Sequence, residues 1–398
     1  MDSCSRGLSV TGASNALTDL ALQVAFRVDA SLRMGTGHVM RCLTLADALK
    51  SKGATCQFIC RAHEGHLIDL IRGKGHVAHA LHVVNKSPDH MLSQSILDSG
   101  GAGLSHAPWL GSTQIEDANA CAPILATQHP DWLVVDHYAL DVNWERALST
   151  HYRRLLVIDD LADRKHVCDL LLDQTFGRDP ADYASLVPED CRLLCGSQFA
   201  LLRPEFAALR EHSLKRRIQP SLKELLISMG GVDLDNCTEA VLRILGDPYL
   251  AIHCNVTVVM GSFSPWLKNI QNLAHIMPRR TTVLVGVANM ASLMAESDLA
   301  IGAAGSTSWE RCCLGLPSIL VGIAENQRLI SAKLNASGAA LAVDRDLIDA
   351  NLKSVLERCS LPAVLSELSY KSAKLTDGQG TNRLVELIYG FEKNNGIG

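Results

Sequence analysis

The chain has 398 residues, 47% of them hydrophobic and 20% charged, with a formal net charge of −5. A length beyond the ~250–300 residues at which one core stops growing predicts two domains. The acidic balance, with no basic cluster beyond Lys215-Arg216-Arg217, argues against a nucleic-acid binder, and no apolar run reaches the ~18 residues of a membrane span.

The first 22 residues lack the cationic start and apolar core of a signal peptide and read as a loose extension. Strand-like runs then alternate with helical patterns. Ala25–Val28 precedes a helix near Val39–Lys52, and Thr55–Cys60 precedes one near Leu67–Gly73. The histidines His63, His66, His76, His79 and His82 read as a surface segment rather than a metal site, with no cysteine beside them. Gly100–Pro108 reads as a surface loop. Trp132–Val135, Leu155–Ile158 and Leu170–Leu172 are short apolar runs, each ending at an aspartate. Such runs between helices predict a parallel sheet covered on both faces, with ligands bound beyond the strand carboxyl ends.

The pattern restarts after a charged stretch and Gln219-Pro220-Ser221. Leu225–Ser228, Asn255–Met260, Thr282–Val285, Leu299–Ile301 and Ser318–Val321 read as strands of a second sheet. The fold class is therefore α/β, with two Rossmann-like domains facing across a cleft: 1–22 an extension, 23–210 the first domain, 211–398 the second. The end of the chain, Leu352–Lys393, is helical with no strand after it, and is expected to pack back across the cleft. Thirteen cysteines, odd in number and irregularly spaced, read as reduced thiols in a cytoplasmic protein.

Three glycine turns follow strands. Gly35-Thr36-Gly37-His38 lets the backbone approach a ligand, but Met40 replaces the third glycine of a dinucleotide fingerprint, and Cys60-Arg61 offers no acidic residue for a ribose. His38 at the helix start is either a proton acceptor or a cap. Ser228-Met229-Gly230-Gly231 and Gly305-Ser306-Thr307-Ser308 are the second and third turns, suited to a diphosphate. Glu310, one turn further, either accepts hydrogen bonds from a ribose or closes a Thr307-x-x-Glu310 capping box. In Asp136-His137-Tyr138, Asp136 and Tyr138 are cleft candidates; Asp141, Trp144 and Glu145 read as cap and core. Asp159-Asp160 and its acidic neighbours read as capping and salt links rather than a Mg²⁺ site.

The blocks RVDAS, GTGHVMRCL, WLVVDHY, VIDDLADR, LLCGSQFALLRPEF, SMGGVDLDN, AAGSTSWERCCLGLP and ENQ, in this order from Ala25 to Leu387, resemble the UDP-2,4-diacetamido-2,4,6-trideoxy-β-L-altropyranose hydrolase family of pseudaminic-acid biosynthesis. The family is similar in fold to inverting glycosyltransferases of the MurG type, the GT-B class. The resemblance implies that water attacks the anomeric carbon of a UDP-linked trideoxy sugar, releasing UDP with inversion and without metal or other cofactor. It makes His38 the base, and places Tyr138 near the reacting carbon, Arg203 on the substrate, Glu310 on the ribose and Asn326 toward sugar and phosphates. Gly37, Asp136, Gly231, Gly305 and Ser306 complete the expected substrate site. A monomer with a UDP-sugar and water as its partners is expected. An inverting glycosyltransferase and a non-catalytic nucleotide-sugar-binding module are the alternatives. Met34 and Met229 depart from the family pattern without removing a polar group.

Overall fold

The computed structural model describes residues 21–83, 103–250, 252–322 and 325–393. Each half is one parallel sheet. The first contains β1 (Gln23–Val28), β2 (Thr55–Arg61), β3 (Val77–Leu81), β4 (Trp132–Asp136), β5 (Arg154–Ile158), β6 (Leu170–Asp173) and β7 (Arg192–Cys195), in the order β3-β2-β1-β4-β5-β6-β7. The second contains β8 (Glu224–Ser228), β9 (Asn255–Met260), β10 (Thr281–Val285), β11 (Leu299–Ala303), β12 (Ser318–Gly322) and β13 (Leu341–Asp344), in the order β10-β9-β8-β11-β12-β13.

Both orders reverse direction beside their first strand. In the first sheet β1 lies between β2 and β4, and Val28 pairs with Asp136. In the second, β8 lies between β9 and β11, with Ser228 beside Gly302. Loops leaving adjacent strands on opposite faces open a crevice at these points, where open α/β sheets bind ligands. The central strands are apolar throughout because helices cover both faces. Phe26, Val134, Leu156 and Leu172 belong to a cluster on one face of the first sheet; Leu133, Val135, Leu155 and Leu171 belong to one on the other. The second sheet is covered likewise.

Two segments tie the halves together. The helix Pro204–Arg216 starts from the first half but buries Phe206 in a cluster with Leu226, Trp309 and Cys313 of the second. The terminal helix Gly380–Lys393 returns to the first half, where Leu384, Val385 and Ile388 join the cluster containing Leu43 and Phe26. Trp132 Nε1 donates to Glu392, and Tyr389 donates to the Lys52 carbonyl.

Two sequence expectations are corrected. The histidine run is not one surface segment: His76, just ahead of β3, is buried edge-on against Phe58 of β2 and bonded to Asp47 at 2.8 Å. The described part of Gly100–Pro108 is not wholly superficial either. Leu104 and Ala107 are buried, and His106 and Trp109 pack on Tyr138. Among the described residues no helix is long and apolar enough to cross a membrane.

Candidate active site

The first half contributes a buried ionic chain. His38 is the second residue of the helix Gly37–Ser51, and its side chain is 11% exposed. Its Nδ1 lies 2.6 Å from Asp136 Oδ1 at the end of β4. Arg41, one turn along the same helix, donates to Asp136 from Nε at 2.6 Å and Nη2 at 2.7 Å. Burial would raise the Asp136 carboxyl, but Arg41 and then His38 hold it well below the usual carboxylate range. An ionised Asp136 can only accept, so His38 Nδ1 carries a proton and donates it. The remaining nitrogen, Nε2, is then an unprotonated acceptor whenever the ring is neutral.

Arg41 also donates from Nη1 to Asp160 Oδ2 at 2.7 Å, and Tyr138 donates its hydroxyl to the same oxygen at 3.0 Å. The His38 and Tyr138 rings meet edge to face with centroids 4.7 Å apart. Burial, then Asp160, push the Tyr138 phenol well above its ordinary value, so it keeps its proton. The neighbouring Asp159 has a structural part: it accepts from Arg164 at 2.8 Å, from Ala162 N at 2.9 Å and from Tyr183 at 3.0 Å. Asp141 caps the helix Val142–Ala147 and Trp144 is buried in the core.

The second half brings its glycine turns against this chain. A Cβ on Gly37 would stand 3.5 Å from Ser306 Oγ, and one on Gly231 3.5 Å from Thr36 Oγ1. The turn carrying His38 thus faces both turns suited to phosphates. Gly230 adopts φ +94°, where a side chain is strained, and Gly261 packs so closely on Gly231 that a Cβ would lie 2.0 Å from its carbonyl oxygen. Asp233 holds the far end of this loop by accepting from Cys237 N and Thr238 N, both at 3.0 Å. Gly305 and Ser306 precede the helix Thr307–Cys313, and the Ser306 side chain makes no capping bond.

Thr307 is the first helical residue, so the alternative capping box with Glu310 does not form. Glu310 instead lies 3.8 Å from Arg203 Nη2, with its side chain 17% exposed. Burial pushes its carboxyl up to about 7, against the pull of Arg203 and Arg311. Arg203 sits ahead of Pro204, pairs with Glu205 at 3.0 Å and lies over the Phe206 ring. Asn326 stands at the start of the helix Glu325–Ser337, and its side chain lies outside the described residues.

The structure therefore gathers His38, Asp136 and Tyr138 on one side, and Gly231, Gly305, Ser306, Glu310 and Arg203 on the other, with Gly37 at their contact. Arg41 and Asp160 were not expected in this cluster. The only sequence signal for either was the arginine three residues after His38 and an acidic pair read as local salt links. Among the described residues no group of three or more His, Cys, Asp or Glu is placed to hold a metal ion.

No protein-family model matches the chain. Its sequence is 26% identical over 285 residues to the UDP-2,4-diacetamido-2,4,6-trideoxy-β-L-altropyranose hydrolase of Campylobacter jejuni, spanning 72% of this chain and 86% of that one. Among solved structures, Acinetobacter baumannii MurG superposes with a TM-score of 0.63 at 15% identity, covering 93% of this chain and 99% of that one. The UDP-GlcNAc 2-epimerase of Neisseria meningitidis, solved with UDP-GlcNAc bound, gives a TM-score of 0.56 at 12% identity over 93% of this chain and 100% of that one. The chain is similar in sequence to the hydrolase family that its motifs resemble, and its two facing parallel-sheet halves make the GT-B fold.

Proposed function

We propose that the protein is an enzyme of UDP-sugars, and specifically a hydrolase that cleaves the glycosyl C–O bond of a UDP-linked 2,4-diacetamido-2,4,6-trideoxy sugar. The observation that carries this reading is the His38–Asp136 pair, with Nδ1 turned to the carboxylate, on the turn that touches Ser306 of the opposite half. A base at that contact stands beside the place where a nucleotide diphosphate would end and its sugar begin. The sequence similarity to the Campylobacter hydrolase supports the choice of substrate class and reaction.

On this reading Glu310 accepts the ribose hydroxyls and the amides of Gly230–Gly231 and Gly305–Thr307 hold the diphosphate. Water gives one proton to His38 Nε2 as its oxygen bonds to the anomeric carbon from the face opposite UDP. The carbon–oxygen bond to the phosphate breaks, and its electron pair leaves with UDP, producing the inverted free sugar. Asp136 stabilises the imidazolium as it forms, and amides aimed at the departing diphosphate receive the developing charge. UDP is a good leaving group, so water activation is the larger demand.

The test is incubation of the pure protein with the UDP-trideoxy sugar and no acceptor, followed by NMR of the anomeric proton. UDP and the inverted sugar should accumulate at a steady rate. Release of UDP only after an alcohol acceptor is added would favour the glycosyltransferase alternative, and binding without release would favour a binding module.

A further inference from the structure

Arg41 bridges two aspartates from different strand ends, and the consequence concerns hydrogens. It holds Asp136, which takes the proton of His38 Nδ1, and it holds Asp160, which takes the hydroxyl proton of Tyr138. Asp160 is fixed independently, because Arg178 Nη2 donates to its carbonyl at 2.8 Å. With the His38 ring neutral, neither His38 nor Tyr138 can therefore offer a hydrogen to the cleft without breaking a bond inside this chain. What each retains is a lone pair: Nε2 on the imidazole and the oxygen of the phenol. The two rings adjoin, edge to face at 4.7 Å between centroids. The two side chains that adjoin here thus each keep a lone pair, on rings that meet edge to face.

We infer that Asp160 is a positioning residue for the nucleophile: by holding the Tyr138 proton, it makes the phenol oxygen the second acceptor of a water whose first hydrogen goes to His38, and so selects water over an alcohol. The inference rests on the hydrolase reading above. Water has two O–H bonds and satisfies both acceptors. The hydrogen on Nε2 is transferred as the oxygen attacks the anomeric carbon. The hydrogen on Tyr138 stays on that oxygen and becomes the hydroxyl hydrogen of the free sugar. An alcohol has one O–H; with that hydrogen on His38, its carbon substituent must face the Tyr138 oxygen and leave it unpaired. Losing one such hydrogen bond corresponds to about a three- to tenfold preference for water.

The test compares wild type with Tyr138→Phe, Asp160→Asn and the double variant in buffered methanol–water. It reads free sugar, methyl glycoside and UDP affinity. In Asp160→Asn the Oδ2 that Arg41 and Tyr138 share becomes a neutral amide oxygen, a weaker acceptor that frees the phenol hydrogen to turn toward the nucleophile and displace water's second hydrogen. The expected result is a ratio of methyl glycoside to free sugar raised about three- to tenfold in each single variant. UDP affinity should stay within about twofold of wild type, and the double variant should be no further changed than Tyr138→Phe. Unchanged ratios in the single variants, or effects that multiply in the double, would overturn the inference. Tyr138→Phe leaves the ionic chain intact, so its ratio decides the matter even if Asp160→Asn fails to fold. A wild type that releases no UDP without methanol would instead overturn the hydrolase reading itself.

Discussion

Replacing Glu310 by glutamine should make the unliganded protein more stable and the UDP complex weaker, each with its own pH signature. Burial lifts the Glu310 carboxyl from 4.5 to about 7 in the folded chain. Between those values the folded state holds a proton that the unfolded state has lost. Stability attributable to Glu310 is therefore full below pH 4.5, falls as pH rises toward 7, and is flat above. A difference of this size corresponds to about 3 kcal/mol. That figure is an upper bound, since the side chain retains 17% exposure and water screens its charge. Glutamine removes the titration, so at pH 8 the variant should resist urea better than wild type, and at pH 4.5 the two should be close. Binding runs the other way. If the carboxylate accepts ribose hydroxyls, wild type must lose a proton to bind, and UDP should bind about tenfold more weakly at pH 6 than at pH 8. The terminal phosphate of UDP titrates in the same range, and the variant measured alongside subtracts that contribution. Urea unfolding at pH 4.5 and 8 and calorimetric titration of UDP at pH 6 and 8 give all the numbers. Equal pH dependence of stability in the two proteins would refute the buried-carboxyl account, and an unchanged UDP affinity in the variant would refute the ribose contact.

His38→Ala should lower kcat by about 10²–10⁴-fold while UDP affinity, measured by calorimetry, stays near wild type. Asp136→Asn should also lower kcat strongly. It should further lower the unfolding free energy read from urea by about 3–5 kcal/mol, because it removes a charge from the buried Arg41 network; a variant as stable as wild type would contradict the geometry. Gly261→Ala should destabilise the second half by about 1–3 kcal/mol and weaken UDP binding, since its methyl group would displace the Gly231 carbonyl from 2.0 Å; a variant with wild-type affinity would separate Gly231 from the diphosphate site.

The central strands were legible because they are covered on both faces and read as unbroken apolar runs. Three missed strands, β3, β7 and β13, all lie at sheet edges. Each is short, and β3 interrupts its apolar positions with His79, which bonds Gln57 across the strand pair. The glycine turns were legible as well, since Gly35 and Gly230 sit at φ +77° and +94° where glycine is favoured. The ionic chain was only half legible. His38 and Asp136 each stood out beside a strand or turn, but they meet 98 residues apart in sequence. Arg41 and Asp160 are separated by 119 residues, and the Asp159-Asp160 spacing carries no sign of that distant partner. The two aspartates part ways in the structure, Asp159 to Arg164 and Asp160 to Tyr138, because consecutive residues leaving a strand point to opposite sides.

The most direct test of the hydrolase account is turnover of the UDP-trideoxy sugar in water enriched in oxygen-18, with the released UDP weighed by mass spectrometry. Attack at the anomeric carbon predicts UDP of unchanged mass from the first turnover onward. UDP heavier by one oxygen-18 would mean that water attacks phosphorus, and would contradict the role given to His38 and to the cleft around it.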